Sequence, residues 1–529
     1  MRQNIQSHYP QYALATLSGI LLTVAFPKFD QGWLAWIALL PLLWAMGDAD
    51  VRTGWRLGFW AGLIHGLGLM YWTVYTMHVY GYLPLYQCIP LLVLLSAYLA
   101  LYTGLFAAAV IWLGDRPLGV LMTSPAVWTA LEYVRGRLFT GFPWELLGYS
   151  QYKSLWTIQI ADLTGVYGVS ALVVLVNAAL TLLLRAARGR MWRHRPLDRS
   201  TILATLSVAL TLVAAVQIYG ALRLRQVDAA AEAANKTRVA VVQGNIDQAI
   251  KWDPDFQMVT AAKYNALSLK IARSADLIIW PETATPFYLF QDKRPTEVVL
   301  DGIKTAGRDF IIGSPYLVSS QNGEAYFNSA YLITAEGNAL GRYDKVHLVP
   351  FGEYVPLKRW LPFIDKMVAM VGDFKTGEPG RTLQWNSRPI GMLICYEAIF
   401  PELARAMTQN GAVLLVNITN DAWFGFTSAA YQHFSMSVLR AVENRRALAR
   451  AANTGISGFV DAGGRIAAPT ELMQDATSVS ELALVEIHTF YTRWGDWPLA
   501  LGVCAVLGLS ATRRYRRVRS RARKNRNRG

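Results

Sequence analysis

The sequence predicts a bundle of membrane-spanning helices that carries a separate α/β domain. Hydrophobic residues make up 53% of the 529 residues and charged residues only 16%, whereas soluble chains average about 25% charged. Eight apolar segments are candidates to cross a bilayer. Between the seventh and the eighth lies a long, more polar stretch in which strand-like and helix-like patterns alternate.

The candidate spans are apolar because only a backbone that satisfies its own hydrogen bonds is stable in lipid. They cover residues 11–27, 33–47, 55–78, 88–113, 117–135, 164–185, 201–223 and 496–512. A basic residue precedes the first span, as in a signal peptide, but the span lacks a small-residue cleavage site. We therefore expect this first segment to be retained as a membrane helix.

Basic residues mark one side of this bundle. Arg52, Arg56 and Arg116, six arginines within 185–199 and ten Lys or Arg within 513–528 all lie in alternate connections or in the tail. The positive-inside rule places these segments in the cytoplasm. The connection between the seventh and eighth spans would then lie outside, which in a bacterium is the periplasmic side of the inner membrane.

This orientation divides the chain into three predicted parts. Residues 1–223 form transmembrane helices one to seven, residues 224–493 form an extracytoplasmic domain, and residues 494–529 form the eighth helix and a basic cytoplasmic tail. The net charge of +15 comes mostly from the membrane flanks, and the remainder is close to neutral. A nucleic-acid-binding domain carries its positive charge on a folded face, so we expect no nucleic-acid partner.

The pattern of the extracytoplasmic part predicts an α/β domain of strands and helices. Apolar and polar residues do not alternate within its strands, so we expect both faces of the sheet to be covered. Predicted strands are 238–245, 276–282, 309–316, 329–334, 389–397, 412–421, 455–462 and 482–487. Predicted helices are 255–274, 294–307, 400–409 and 429–451.

Three reactive residues follow strand-like runs in this domain. Glu282 ends the run in "LIIWPE", Lys345 lies in "GRYDKVHLVPFGEY", and Cys395 ends the run in "GMLIC". The other two cysteines, Cys88 and Cys504, lie in apolar segments, where free thiols are usually inert. Because ligands gather at the carboxyl ends of strands in α/β sheets, we expect the acid, the ammonium and the thiol to converge.

Such a set can carry out acyl transfer through a thioester. A free thiol is mostly protonated at neutral pH, so a neighbouring carboxylate is needed as general base. An ammonium and the backbone N–H after the nucleophile, here that of Tyr396, can stabilise the oxyanion of the tetrahedral intermediate.

The motif order resembles the nitrilase superfamily, which uses a Glu-Lys-Cys triad on an αββα sandwich. The resemblance spans residues 236–490, and "NDAWFG" at 420–425 follows the cysteine as expected. With eight spans around it, the whole chain is similar to the apolipoprotein N-acyltransferase family. The resemblance implies an α/β nitrilase-like αββα sandwich domain on an eight-helix transmembrane bundle.

The resemblance also implies roles for individual residues. Glu282 is the base, Lys345 the oxyanion partner and Cys395 the nucleophile. Supporting positions implied in the same way are Glu353, Tyr396, Glu397, Trp252 and Trp423. Each has a simpler interpretation: a carboxylate can cap a helix or pair with a basic residue, and a tryptophan can be core packing.

The same resemblance implies the substrates. The acyl donor is a phospholipid, phosphatidylethanolamine in most members, and the acceptor is the α-amino group of the diacylglyceryl-cysteine that begins a lipoprotein. We expect a monomer in the lipid bilayer that needs no cofactor. His347 stands alone between apolar residues, and no His/Cys cluster has zinc spacing, so we also expect no metal site.

Two other functions remain open on the sequence. A membrane-anchored amidase or nitrile hydrolase would use water as the acceptor, and a transporter or scaffold would retain an inactive enzyme fold. Residues 357–377 bear on this choice, because their apolar side chains suit an amphipathic, membrane-facing lid that admits an acyl chain, although a small helix covering the core is the simpler interpretation.

Overall fold

The computed structural model describes residues 9–320, 323–354 and 374–526. Contacts between Cα atoms divide the chain into two compact units. The first comprises the residues up to His78, Tyr82–Ala221 and those from Trp494 onward, and the second comprises Val79–Gly81 and Leu222–Arg493. The lid predicted over 357–377 lies almost wholly outside the described residues, and the three-part domain division stays a prediction.

The first unit is helical. Its helices are α1 (Tyr9–Val24), α2 (Ala35–Ala38), α3 (Leu40–Met46), α4 (Val51–Met70), α5 (Trp72–Tyr75), α6 (Leu85–Leu113), α7 (Pro117–Arg135), α8 (Leu155–Ile158), α9 (Ala161–Ala187), α10 (Arg199–Ala233, which continues into the second unit) and, towards the C-terminus, α15 (Phe490–Trp494, which begins in the second unit) and α16 (Trp497–Arg526). Short 3-10 turns at Gly32–Leu34 and Leu147–Gln151 and a π-helical turn at Thr76–Tyr80 connect them. Each predicted span overlaps one or more of these helices.

Three helices of the described chain are long and apolar enough to cross a membrane, judged by length and composition. They are α6, α9 and α10. A fourth span results if α4 is counted together with Trp72–Tyr80, which is bent from it by 48°. The structure therefore supports a protein with several membrane-length apolar helices, while the bundle of eight spans remains a prediction.

The second predicted span is broken at Leu39, where an asparagine of another helix forms hydrogen bonds with the backbone. Helix α2 ends before Leu39 and α3 begins after it. Asn177, fully buried on α9, accepts from the N–H groups of Leu39 (2.8 Å) and Leu40 (3.1 Å) and donates to the carbonyl of Ala35 (2.9 Å). A backbone break inside an apolar bundle needs such partners, because an unpaired polar group there costs several kcal/mol, on the order of 2–7.

The second unit is built on two sheets. In the described chain, the first sheet contains β1 (Lys236–Gln243), β2 (Leu277–Ile279), β3 (Asp309–Ser320), β4 (Gly323–Ile333), β5 (Ala339–Asp344) and β12 (Ala476–Ala483), in the order β12-β1-β2-β3-β4-β5. The second contains β6 (Thr382–Trp385), β7 (Arg388–Ile394), β8 (Leu414–Thr419), β9 (Ala447–Ala452), β10 (Gly458–Val460) and β11 (Ile466–Ala467), in the order β11-β10-β9-β8-β7-β6.

Each sheet has three parallel strands at its centre and antiparallel strands at its edges. The parallel strands are β1, β2 and β3 in one sheet and β7, β8 and β9 in the other. All six residues of β8 and all six of β9 are buried, as expected for strands covered on both faces.

Four helices cover the outer faces and complete a sandwich. Helices α11 (Pro254–Ile271) and α12 (Lys293–Ala306) pack on the first sheet, where Tyr264, Val299 and Ile303 join its apolar core. Helices α13 (Pro401–Gln409) and α14 (Ala429–Asn444) pack on the second sheet. Contacts of β1 with β9 and of β4 with β7 bring the sheets face to face. The predicted αββα sandwich is confirmed.

The helix predicted over 429–451 is too long. Helix α14 ends at Asn444 because Arg445 adopts a left-handed conformation (φ 51°), which a helix cannot continue. Residues 447–452 then form β9, which pairs parallel to β8. Three further strands, β5, β6 and β11, were not predicted, because none of them carries the long apolar run that identified the others.

The role of Asn177 can be tested by stability. Replacing it with leucine (Asn177→Leu) leaves the N–H groups of Leu39 and Leu40 and the carbonyl of Ala35 without this partner. We expect the free energy of unfolding of the helical unit to fall by about 2–4 kcal/mol. Thermal unfolding in detergent micelles, followed by circular dichroism, measures this loss. Val176→Leu, on the same helix, is the matched control, and equal melting temperatures for the two variants would contradict the assignment.

Candidate active site

The three residues singled out by their motifs all follow strands of the second unit. Glu282 comes after β2 in a turn where Thr283 has φ 51°, Lys345 follows β5 directly, and Cys395 follows β7 directly. Gly313 on β3 permits the close approach of the first turn, because a Cβ there would lie 2.3 Å from the carbonyl oxygen of Pro281. The strand ends thus carry the acid, the ammonium and the thiol into one site.

Lys345 lies between two carboxylates. Its Nζ is 2.9 Å from Oε1 of Glu353 and 3.4 Å from Oε1 of Glu282. The Lys345 side chain is 1% exposed. Burial alone lowers the pKa of Lys345, but Glu353 and then Glu282 outweigh it, so the net pKa is raised above its ordinary value. Lys345 therefore stays an ammonium ion and can stabilise negative charge, but it cannot serve as a base near neutral pH.

An asparagine that the sequence did not point to connects the two carboxylates. Nδ2 of Asn328, on β4, donates to Oε1 of Glu282 (2.7 Å) and to Oε1 of Glu353 (2.8 Å). The other oxygen of Glu282, Oε2, accepts from the N–H of Asn420 (2.8 Å), just beyond β8. These bonds fix the orientation of the Glu282 carboxyl group.

Cys395 begins a tight turn at the end of β7. Its φ is 53°, in the left-handed region that side-chain-bearing residues rarely adopt, and its side chain is partly exposed. Desolvation and then the Glu282 carboxylate raise the pKa of the thiol, while Lys345 lowers it. The thiol is thus protonated at neutral pH, and its pKa depends on both Glu282 and Lys345. A protonated thiol needs a base to remove its proton before the sulfur can act as a nucleophile.

Glu397 holds two parts of the site together. Its buried carboxylate accepts from the N–H of Ile394 (2.7 Å), at the end of β7, and from the N–H of Val346 (2.6 Å), beside Lys345. Tyr343 donates its hydroxyl proton to the same carboxylate (3.1 Å). Burial is the main cause that raises the pKa of Glu397 to about 7. Its contacts make it a link between the cysteine turn and the lysine loop.

The remaining predicted residues differ in exposure. The Tyr396 ring is buried against Phe400 (5.1 Å between ring centroids), so its main-chain N–H rather than its phenol is the group suited to an oxyanion. Trp252 is 52% exposed and Trp423 39% exposed, which argues against core packing for either.

Lys251 is a fourth charged group at the site, and sequence analysis missed it. It is 1% exposed, and its Nζ donates to the main-chain oxygen of Glu282 (3.3 Å). Burial lowers its pKa to about 8, opposed by the charges of Glu282 and Cys395. Lys251 is thus a second buried lysine beside Glu282. The only signal in the sequence was its place directly before Trp252 in "IKWDP".

Within residues 9–320, 323–354 and 374–526, no group of three or more His, Cys, Asp or Glu side chains could hold a metal ion.

Family comparisons cover both units. Residues 18–179 match the family model described as "Apolipoprotein N-acyltransferase N-terminal domain", and residues 238–491 match that of "Carbon-nitrogen hydrolase". A protein of Geobacter metallireducens is 44% identical over 95% of this chain and 96% of its own length. Proteins of Methylococcus capsulatus (35% identical, 96% of this chain, 97% of the relative) and Azotobacter vinelandii (33%, 97% and 97%) are similar throughout. All three are named apolipoprotein N-acyltransferase.

The charge of Lys251 can be tested through the reactivity of Cys395. Lys251→Met removes a positive charge near the sulfur, so the thiol pKa rises and less thiolate forms. We expect alkylation of Cys395 by iodoacetamide at pH 7 to slow by about tenfold, equivalent to one pKa unit. The rate is measured by mass spectrometry of the peptide that contains Cys395.

The effect of Lys251 on the alkylation rate of Cys395 should depend on pH in a defined direction. The folded-state pKa of Lys251, about 8, lies below the ordinary value of 10.5, so its positive charge is present below pH 8 and is lost as the pH rises through 8. The advantage of the wild-type protein over Lys251→Met should fade over the same interval. Lys263→Met, which removes a lysine paired with Asp475 (2.9 Å) at the surface, is the control and should react like the wild type. A constant ratio from pH 6 to pH 9 would contradict the assignment.

Proposed function

Since this chain belongs to the apolipoprotein N-acyltransferase family, we propose that it transfers an acyl chain from a phospholipid to the α-amino group of the diacylglyceryl-cysteine that begins a lipoprotein. The chain spans nearly the full length of the relatives that carry this name, with 96% of the first and 97% of the second covered. Phosphatidylethanolamine is the proposed donor.

The observation that best supports a thioester mechanism is the charge arrangement around Lys345. The Lys345 ammonium, held 2.9 Å from one carboxylate and 3.4 Å from another, keeps its charge. The pKa of the Cys395 thiol is raised by Glu282 and lowered by Lys345. This is the distribution that general-base activation of a thiol followed by oxyanion stabilisation needs.

In the first half-reaction, Glu282 accepts the proton of the Cys395 thiol and the sulfur attacks the ester carbonyl of the phospholipid. The carbonyl oxygen becomes an oxyanion, which the Lys345 ammonium and the Tyr396 N–H stabilise. The tetrahedral intermediate collapses with cleavage of the ester C–O bond. Glu282 returns its proton to the leaving oxygen, and a lysophospholipid departs from a Cys395 thioester.

In the second half-reaction, the lipoprotein amine attacks the thioester carbonyl and Glu282 accepts its proton. The same donors stabilise the second oxyanion. Collapse breaks the C–S bond, the proton passes from Glu282 to the sulfur, and the amide-linked product leaves. One carboxylate thus serves both halves, first as base and then as acid.

The supporting residues have proposed roles that follow from their contacts. Glu353, bound to Lys345 and through Asn328 to Glu282, orients the lysine. Glu397 holds the lysine loop against the cysteine turn. The exposure of Trp252 and Trp423 supports contact with the acyl chain or headgroup of a substrate.

The cellular setting is proposed on the sequence pattern. The basic flanks support eight spans in a bacterial inner membrane, with residues 224–493 as the catalytic domain on the periplasmic side, and we propose that the protein acts as a monomer. A location within the bilayer suits a reaction in which donor and acceptor are both lipid-anchored.

The nucleophile is tested by substitution. Cys395→Ala removes the sulfur, and Cys395→Ser replaces it with a hydroxyl that ionises far less readily. We expect no transfer with the alanine variant and less than about 1% of the wild-type rate with the serine variant. The assay follows a labelled acyl chain from phosphatidylethanolamine to a synthetic diacylglyceryl lipopeptide. Cys504→Ala is the control and should be fully active. Normal transfer by Cys395→Ala would refute the thioester mechanism.

A further inference from the structure

The peptide unit between Cys395 and Tyr396 has two functional ends. Its N–H belongs to Tyr396 and is the proposed backbone donor of the oxyanion site, and its carbonyl belongs to Cys395. The cysteine has φ 53°, a conformation that costs about 1 kcal/mol or more for a residue with a Cβ and persists only where surrounding groups hold it. The contacts of the Cys395 carbonyl should therefore bear on the geometry of the N–H.

A buried histidine donates to that carbonyl. His433, on α14, is 1% exposed, and its Nε2 lies 3.1 Å from the Cys395 oxygen. Because a carbonyl oxygen can only accept, the proton is on Nε2 whether the ring is neutral or charged. Nδ2 of Asn417, on β8, is a second and longer donor to the same oxygen (3.4 Å).

One arginine positions both of these donors. Arg450, on β9 and fully buried, donates through Nη1 to Oδ1 of Asn417 and through Nη2 to Oδ2 of Asp421 (2.8 Å). Nη2 is also 3.0 Å from Nδ1 of His433, and Oδ1 of Asp421 is 3.0 Å from the same nitrogen. The imidazole is thus fixed at its rear edge, and its Nε2–H is directed at the cysteine turn.

The charges in this cluster are settled by their neighbours. Burial raises the pKa of Asp421, but Arg450 and His433 outweigh it, and the pKa of Asp421 is lowered. Burial and Arg450 lower the pKa of His433, opposed by Asp421. Nδ1 of His433 faces both the Arg450 guanidinium and the Asp421 carboxylate. In either protonation state of the ring, Nε2–H remains the donor to the Cys395 carbonyl, with the ion pair between Arg450 and Asp421 behind it.

We propose that His433 is a positioning residue for acyl transfer, which holds and polarises the Cys395–Tyr396 peptide so that the Tyr396 N–H is directed at the oxyanion. Donation to a carbonyl polarises the whole amide and strengthens the N–H at its other end. A preorganised N–H is the kind of donor whose loss costs about a hundredfold or more in rate. The inference rests on the proposed function, since it requires an oxyanion at an acylated cysteine.

A purely structural role for His433 would act on every reaction of Cys395. Acyl transfer develops an oxyanion, whereas alkylation of the sulfur by iodoacetamide is a displacement at carbon that develops none. Comparing the two rates in the same variant therefore separates support of the peptide N–H from general damage to the cysteine turn.

Two variants and a control make this comparison. His433→Leu removes the donor, and His433→Gln retains an N–H that can reach the position of Nε2. Gln432→Ala, at the neighbouring buried position on the same helix, whose amide donates to Ser428 (3.2 Å), controls for loss of a buried polar side chain. Acyl transfer to Cys395 is measured as single-turnover release of lysophospholipid from phosphatidylethanolamine in detergent micelles. Alkylation is measured on the Cys395 peptide.

We expect His433→Leu to slow lysophospholipid release by at least about tenfold while alkylation stays within about twofold of wild type. His433→Gln should recover most of the release rate, and Gln432→Ala should behave as wild type in both assays. Equal slowing of both reactions, or no slowing of release, would overturn the positioning role. If the wild-type protein is alkylated but releases no lysophospholipid, the proposed function itself fails, which is a different outcome from any failure of the variants alone.

Discussion

The site depends on one buried ammonium ion held between two carboxylates. Lys345 is almost completely removed from water, and an isolated charge in that position would either lose its proton or destabilise the fold by several kcal/mol, about 3–5 for a broken buried pair. Glu353 and Glu282 keep it charged, and Asn328 keeps the two carboxylates in place. The positions of Glu282, the proposed base, and of Lys345, the proposed oxyanion partner, are consequently not independent, because one constraint determines both.

Around Lys345, the rest of the fold holds the reactive side chains in position rather than contributing further reactive groups. Strand ends from both sheets deliver Glu282, Lys345 and Cys395, and buried polar groups connect the turns that carry them. Glu397 joins the cysteine turn to the lysine loop, while His433, Asn417 and Arg450 hold the same turn from behind. In the helical unit, Asn177 plays a comparable structural part by satisfying a break in the backbone. Buried polar side chains with several satisfied hydrogen bonds thus support both the cysteine turn and the break at Leu39.

Sequence reasoning recovered the parts of this arrangement that leave a local signal. Apolar runs identified most of the central strands and the long helices, and a reactive residue at the end of a run pointed to Glu282 and Cys395. Sequence analysis missed Lys251, Asn328 and His433 because they act through contacts with residues far away in the chain. No local sequence pattern indicates such contacts. The end of α14 at Asn444 was missed because a left-handed Arg445 has no signature as clear as a glycine. The number of membrane spans is still a prediction from hydropathy, because length and composition single out three helices, or four with a bent pair, in the part of the chain that the structure describes.

The central claim is that Cys395 carries the acyl group between two lipid substrates. The most direct test incubates the wild-type protein, without acceptor, with phosphatidylethanolamine that bears isotope-labelled acyl chains. The mass of the proteolytic peptide that contains Cys395 is then measured by mass spectrometry. The account predicts that this peptide gains the mass of one labelled acyl chain. It also predicts that subsequent addition of a diacylglyceryl lipopeptide moves the label to the α-amino group of the lipopeptide. Absence of the adduct at Cys395, or a chase that releases the label only as free fatty acid, would contradict it.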